Sequence, residues 1–243
     1  MKFLPTTKEE MKNLGWDSID VLLISGDTYL DTSYNGSALV GKWLVEHGFK
    51  VGIIAQPEVD VPDDITRLGE PNLFFAISGG CVDSMVANYT ATKKRRQQDD
   101  FTPGGENNKR PDRAVLVYSN MIRRFFKGTT KKIVISGIES SLRRITHYDY
   151  WTNKLRKPIL FDAKADILSY GMGEMSMLQL ANALKNGEDW QNIRGLCYLS
   201  KEPKEDYLSL PSHSDCLADK DKFIEAFRTF YLNCDPITAK GLC

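Results

Sequence analysis

Five short apolar runs recur along this chain, and four of them meet a glycine within two residues of their end. Val21–Ser25 stops at Gly26, Leu73–Ile77 leads into Ser78-Gly79-Gly80, Lys132–Ile135 into Ser136-Gly137, and Asp166–Tyr170 into Gly171. Lys50–Ala55 is the fifth run. Apolar residues at helical spacing lie between the runs: Ala38, Leu39, Trp43 and Leu44 before Gly48, then Val82, Met85, Val86 and Tyr89, then Ala114–Phe126, and finally Met177, Leu178, Ala181 and Leu184. Strand and helix in alternation imply βαβ units and a parallel sheet with helices on both faces. The expected fold is α/β and doubly wound, with five parallel strands.

Two segments break this rhythm. Lys93–Arg113 is polar, with Pro103-Gly104-Gly105 at its centre, and is expected as a long surface insertion. The chain changes character near residue 200. Gly195–Leu199 could add a short strand, Ser200–Asp215 is rich in Pro and Ser, and Lys220–Tyr231 predicts an amphipathic helix. The expected division is an α/β domain over 1–200, followed by a linker and helical extension over 201–243.

Several function classes fall away at once. The longest apolar runs are far short of the roughly 18–20 residues a membrane helix needs, and the first seven residues carry neither an apolar core nor a small-residue cleavage site. The expectation is a soluble, cytoplasmic protein with no membrane partner. Cysteines at 81, 197, 216, 234 and 243 have gaps too long for a zinc or iron–sulfur motif. No Gly-x-Ser-x-Gly elbow, P-loop or His-Glu-x-x-His helix is present, so no residue is expected to be catalytic and none to bind a metal. Net charge is zero, yet residues 93–157 hold 17 basic against 6 acidic side chains. That excess is either a solvated basic surface or a site for an anionic partner: a phosphate-bearing small molecule, an RNA, or an acidic neighbouring domain.

Ligands of open α/β sheets bind beyond the carboxyl ends of the strands. Four loops occupy that edge here. Candidate ligand or domain-interface residues are Asp27, Thr28, Asp31 and Ser33 in the first, Ser78, Gly79 and Gly80 in the second, Gly137 and Glu139 in the third, and Gly173 and Glu174 in the fourth. The stretch after Gly137 adds Arg143, Arg144 and His147 beside Tyr148, Tyr150 and Trp151. Arginine forks hold phosphates or carboxylates, and aromatic faces stack rings. The same cluster could equally join the loop to a neighbouring domain. For Glu174, a carboxylate in the first turn of a helix is sufficient explanation.

Three strings resemble the YgiQ-type radical-SAM family. One runs from Leu14-Gly15-Trp16-Asp17 to Gly52-Ile53-Ile54-Ala55-Gln56-Pro57. Another joins Tyr89-Thr90, Thr102-Pro103-Gly104-Gly105 and Lys109-Arg110-Pro111-Asp112-Arg113-Ala114. The third runs from Gly137-Ile138-Glu139-Ser140-Ser141-Leu142-Arg143-Arg144 through His147-Tyr148-Asp149-Tyr150-Trp151 to Asp162-Ala163-Lys164-Ala165-Asp166. Gly171-Met172-Gly173-Glu174, with Ile193-Arg194-Gly195-Leu196-Cys197-Tyr198 further on, looks like the end of a cobalamin-binding-type domain that precedes many radical-SAM barrels.

The resemblance implies a flavodoxin-like fold of the cobalamin-binding-domain kind, acting as an N-terminal accessory domain that contributes substrate or domain contacts. It implies a radical-SAM barrel in cis, carrying a 4Fe–4S cluster and S-adenosylmethionine on a Cys-x-x-x-Cys-x-x-Cys motif. This sequence stops before such a motif, so no cofactor is expected on the chain and alone it is expected to be inactive. Cobalamin binders of this kind carry Asp-x-His-x-x-Gly after the first strand. The matching string here is Asp31-Thr32-Ser33-Tyr34-Asn35-Gly36, with Ser33 in the histidine position. A hydroxyl is a poor cobalt ligand, so cobalamin is not expected. An RNA-binding module using 93–157, and a cobalamin domain without an axial histidine, are the alternatives.

Overall fold

The apolar runs become strands whose residues are buried without alternation. Val21, Leu22, Leu23 and Ile24 are all buried, as are Val51–Ile54 and Phe74–Ile77. A strand with both faces covered has this pattern, because neither side meets water. In the computed structural model, which describes residues 3–32, 34–235 and 237–243, the elements in chain order are α1 (Lys8–Asn13), β1 (Val21–Ser25), α2 (Gly36–Glu46), β2 (Val51–Ala55), α3 (Pro62–Thr66), β3 (Phe74–Ser78), α4 (Ser84–Asn88), α5 (Ala114–Phe125), β4 (Lys132–Ser136), α6 (Gly137–Ser141), β5 (His147–Asp149), β6 (Lys154–Arg156), α7 (Ile159–Ala163), β7 (Ile167–Ser169), α8 (Glu174–Asn186), β8 (Leu196–Tyr198), α9 (His213–Ala218) and α10 (Lys220–Leu232).

The chain forms two compact units. The first runs to Arg144 and resumes from Ile159 to Tyr198. Its sheet has the order β2-β1-β3-β4-β7-β8. The first five strands are parallel, and β8 joins the edge antiparallel to β7. This is the doubly wound, flavodoxin-like order, with a sixth strand added. Leu22, Ile24, Phe75 and Ile77 enter one core with Met11, Ile65, Val115 and Tyr118. Val21, Leu23, Phe74 and Ala76 enter the other with Leu44, Met177 and Ala181. Thus α2 and α8 cover one face, and α1, α3 and α5 the other. Ser25, Ser78 and Ser136 stand in register at the carboxyl edge.

Three local expectations need correction. The helix over 82–89 is only the short α4, because the Asp83 side chain accepts from the Met85 N–H and fixes its start there. The loop after β4 is the short helix α6, entered through Gly137 at φ +80°. The 93–113 insertion is not purely a surface loop: Asp99, Thr102, Asn107 and Arg110 are buried in it. It folds back on the β1 loop, with the Thr28 N–H donating to the Phe101 carbonyl at 2.9 Å.

The second unit comprises Ile145–Pro158 and Leu199–Cys243. The antiparallel pair β5–β6 belongs to it, along with α9 and α10. Ser212 caps α9 and Asp219 caps α10, so the helices start where their polar caps stand.

Candidate functional site

The carboxyl edge of the first unit opens into a cleft of about 350 Å³. Leu23 and Ala76 of the sheet, Val40 of α2 and Met177 of α8 make its apolar floor. Asp27, Ser78, Gly80, Cys81, Ser136, Gly137, Gly173 and Glu174 form its wall. The cleft lies where β1 and β3 send their chains to opposite faces of the sheet, the switch point at which open α/β sheets bind ligands. Apolar side chains stand around its mouth, with Tyr34 and Met172 each 85% exposed.

Close backbone approach shapes the wall. A Cβ on Gly26 would overlap the Gly79 carbonyl, and one on Gly80, at φ +117°, would overlap the Asp27 carboxylate. Asp27 is buried and accepts from the Cys81 N–H at 2.6 Å and from Arg110 Nη2 at 2.6 Å. Arg110 is itself buried. Its Nη2 also reaches Asp99 Oδ2 at 3.2 Å, and its Nε–H donates to the Gly26 carbonyl at 3.0 Å. Two carboxylates therefore share one guanidinium under the β1 loop. Among the described residues, Arg110 Nη1 has no hydrogen-bond partner. The Cys81 thiol donates to the Tyr34 carbonyl at 3.1 Å. Burial first, and the neighbouring Asp27 second, push that thiol up to about 11. It is a neutral thiol at pH 7 and a weak nucleophile.

Asp27, Ser78, Gly80, Gly137, Gly173 and Glu174 all line the cleft. The other candidates stand elsewhere. Thr28 ties the insertion down, and Asp31 pairs with Lys42 on the surface. Gly79 leaves room for Glu139. Glu139 is turned inward by α6. It accepts from the Ser84 N–H at 2.9 Å and the Val115 N–H at 3.2 Å. The starts of α4 and α5 thus share one carboxylate, and α5 has no cap of its own. Burial, then the nearby Asp83, raises the Glu139 carboxyl above its ordinary value. Arg143 pairs with Asp83, and Arg144 lies over the Tyr170 ring at 4.7 Å. His147 belongs to the second unit, its Nδ1 at 3.2 Å from the Ile145 carbonyl. Ser33 lies outside the described residues.

Sequence reasoning left out Arg110 and Cys81. Arg110 sits in a basic string, where a cation reads as solvent-facing, and its two partners are 83 and 11 residues away. The basic excess of 93–157 is widely engaged within the first unit. Arg95 pairs with Asp112, Lys109 with Glu58, Arg123 with Asp166 and Arg124 with Asp60. Among the described residues no three His, Cys, Asp or Glu side chains form a metal-holding group, and no helix is long and apolar enough to cross a membrane.

The model of the Radical SAM N-terminal family matches residues 3–243. The chain belongs to that family. It is 96% identical to a UPF0313 protein of Fusobacterium nucleatum over its full length, covering 43% of that protein. It is 49% identical to one from Thermotoga maritima over 96% of this chain and 41% of that one. With a Methanocaldococcus jannaschii relative the identity is again 49%, over 93% of this chain and 38% of the other. The family member described here therefore spans about two fifths of the length of these relatives. Among solved structures it is similar to the radical S-adenosylmethionine methyltransferase TsrM from Kitasatospora setae, which was solved with cobalamin and a [4Fe–4S] cluster bound. The TM-score is 0.50 at 17% identity, over 76% of this chain and 28% of TsrM. That likeness agrees with the flavodoxin-like fold.

Proposed function

We propose that this domain provides a substrate-facing wall for a radical-SAM enzyme, with the carboxyl-edge cleft receiving part of the substrate. The cluster and S-adenosylmethionine belong, in this reading, to the remaining length of the longer relatives, and the domain works in cis with them. The observation that carries it is the cleft itself: an apolar floor at the switch point, walled by glycine backbone, the hydroxyls of Ser78 and Ser136, the carboxylates of Asp27 and Glu174, and a protonated thiol. Such a lining suits a ligand with an apolar body and few polar groups. The described lining includes no lysine or arginine, and Arg110, which holds Asp27, is neutralised by two carboxylates, so an anion meets no free cation there.

A corrinoid fits this lining less well. The described lining residues include no histidine to serve cobalt, and the raised Cys81 thiol is a poor ligand because metals bind the thiolate.

Gly36 lines the cleft, and a Cβ there meets nothing within 4 Å. Gly36→Trp at this rim position is expected to leave the fold intact and to narrow the cleft. In the full-length Fusobacterium nucleatum relative, a small-molecule extract is expected to stimulate 5′-deoxyadenosine formation. The variant should lose the stimulation and keep the unstimulated rate. Equal stimulation of both proteins would overturn the reading. A hydroxocobalamin absorbance change in this chain, abolished by Gly36→Trp, would put a corrinoid in the cleft instead.

A further inference from the structure

Helix α10 of the second unit carries an apolar stripe facing outward. Ile224, Phe227 and Tyr231 follow one another at steps of three and four and so share one side of the helix. They are 60%, 56% and 66% exposed, and Leu217 of α9 is 58% exposed. The Phe227 and Tyr231 rings stack at 6.1 Å. Ala226 is the buried residue of α10 among those described. A helix of 13 residues is about 20 Å long, so the stripe is narrow but continuous. Amphipathic helices bury such a face against something.

We infer that this stripe seats the segment that follows the counterpart of Cys243 in the longer UPF0313 relatives. Three observations select that occupant. The matched family is an N-terminal one, and this chain covers 43% of a relative to which it is 96% identical. The chain reaches residue 243 inside this same unit. The Cys243 N–H donates to the Leu208 carbonyl at 3.0 Å, and the Leu210 N–H to the Cys243 carbonyl at 2.6 Å. A continuing chain therefore departs from the unit that bears the stripe. Finally, one helix face offers far less than the roughly 800 Å² per partner of a stable interface between free molecules. A tethered segment needs no such area, because linkage gives an effective concentration on the order of millimolar. The inference is independent of what the cleft binds.

Hydrogen exchange followed by mass spectrometry tests it, comparing this chain with the full-length Fusobacterium nucleatum relative. Residues 220–232 should exchange about tenfold more slowly in the longer protein. Phe227→Lys should abolish that protection. In the 243-residue chain the same variant should leave the melting temperature unmoved, since the side chain is exposed there. Equal exchange in the two proteins would overturn the inference. So would a dimer of this chain by light scattering that Phe227→Lys dissolves, because a second copy would then occupy the stripe.

Discussion

Replacing Arg110 by Met tests whether the buried guanidinium organises the site's wall. The side chain is fully buried, and so, within 3%, are the carboxylates of Asp27 and Asp99 that it holds at 2.6 and 3.2 Å. Removing one partner of a buried ion pair costs about 3–5 kcal/mol, because the other charge is left without compensation. Local donors place this case at the lower end. Asp27 keeps the Cys81 N–H, Asp99 keeps the Phe101 N–H and the Thr102 hydroxyl, and the Gly26 carbonyl keeps the Gln56 amide. A loss of about 3 kcal/mol is expected, which for a chain of this size lowers the melting temperature by roughly 6–12 °C. Differential scanning calorimetry reads it directly. The triple variant Asp27→Asn, Asp99→Asn, Arg110→Met removes the stranded charges as well and should recover most of the loss. A loss below about 1 kcal/mol for the single variant would refute the reasoning. An unrecovered loss in the triple variant would assign the effect to packing of the arginine stem instead.

Four further outcomes follow from the same geometry. Because the Glu139 carboxyl is raised, its contribution to stability is full below the ordinary Glu value of about 4.3 and shrinks as pH rises through the folded-state value. The stability difference between wild type and Glu139→Gln should therefore fall from pH 4 to pH 7 in urea titrations; a rising difference would show that burial does not dominate. Gly26→Ala forces a Cβ onto the Gly79 carbonyl and should cost about 1–3 kcal/mol. Gly36→Ala, with nothing near its Cβ at the start of α2, should be neutral or stabilise by up to about 1 kcal/mol in the same thermal scan. Cys81, with its thiol near 11, should react with iodoacetamide at pH 8 far more slowly than exposed Cys234, as peptide mass spectrometry will show; matching rates would contradict the burial and Asp27 effects.

The sheet was legible because its signals are local. Val21–Ser25 and Phe74–Ser78 are unbroken apolar runs only because both faces are covered, and the serine and glycine that end each run mark the edge where the chain turns. The antiparallel β8 was weaker in sequence. Its apolar run is only Leu196–Leu199, and Leu196, Cys197 and Tyr198 are just partly buried at the sheet edge. The partition of the 139–151 stretch between two units could not be read at all. Glu139, Arg143, His147 and Tyr150 are neighbours in sequence, and nothing local states that α6 turns the first inward while β5 carries His147 into the other unit.

The site was legible to the same limit. A glycine at a strand end announces a close approach, and the glycines at 80, 137 and 173 do line the cleft. A charged residue does not announce its own burial, since that depends on partners that the fold supplies. Arg110 and Glu139 are two such cases. Each is an ionised type that cannot sit inside a protein alone, and each is held by groups at least 11 residues away: Asp99 and Asp27 for the one, Ser84 and Val115 for the other. One brings the insertion onto the β1 loop, and the other joins the starts of α4 and α5 to α6. The loops of the cleft's wall are tied from behind by Arg110 and Glu139, while the lining itself is mostly glycine, serine and apolar side chains. That construction agrees with the proposed role, in which this domain shapes a substrate and the chemistry belongs to the remaining length of the longer relatives.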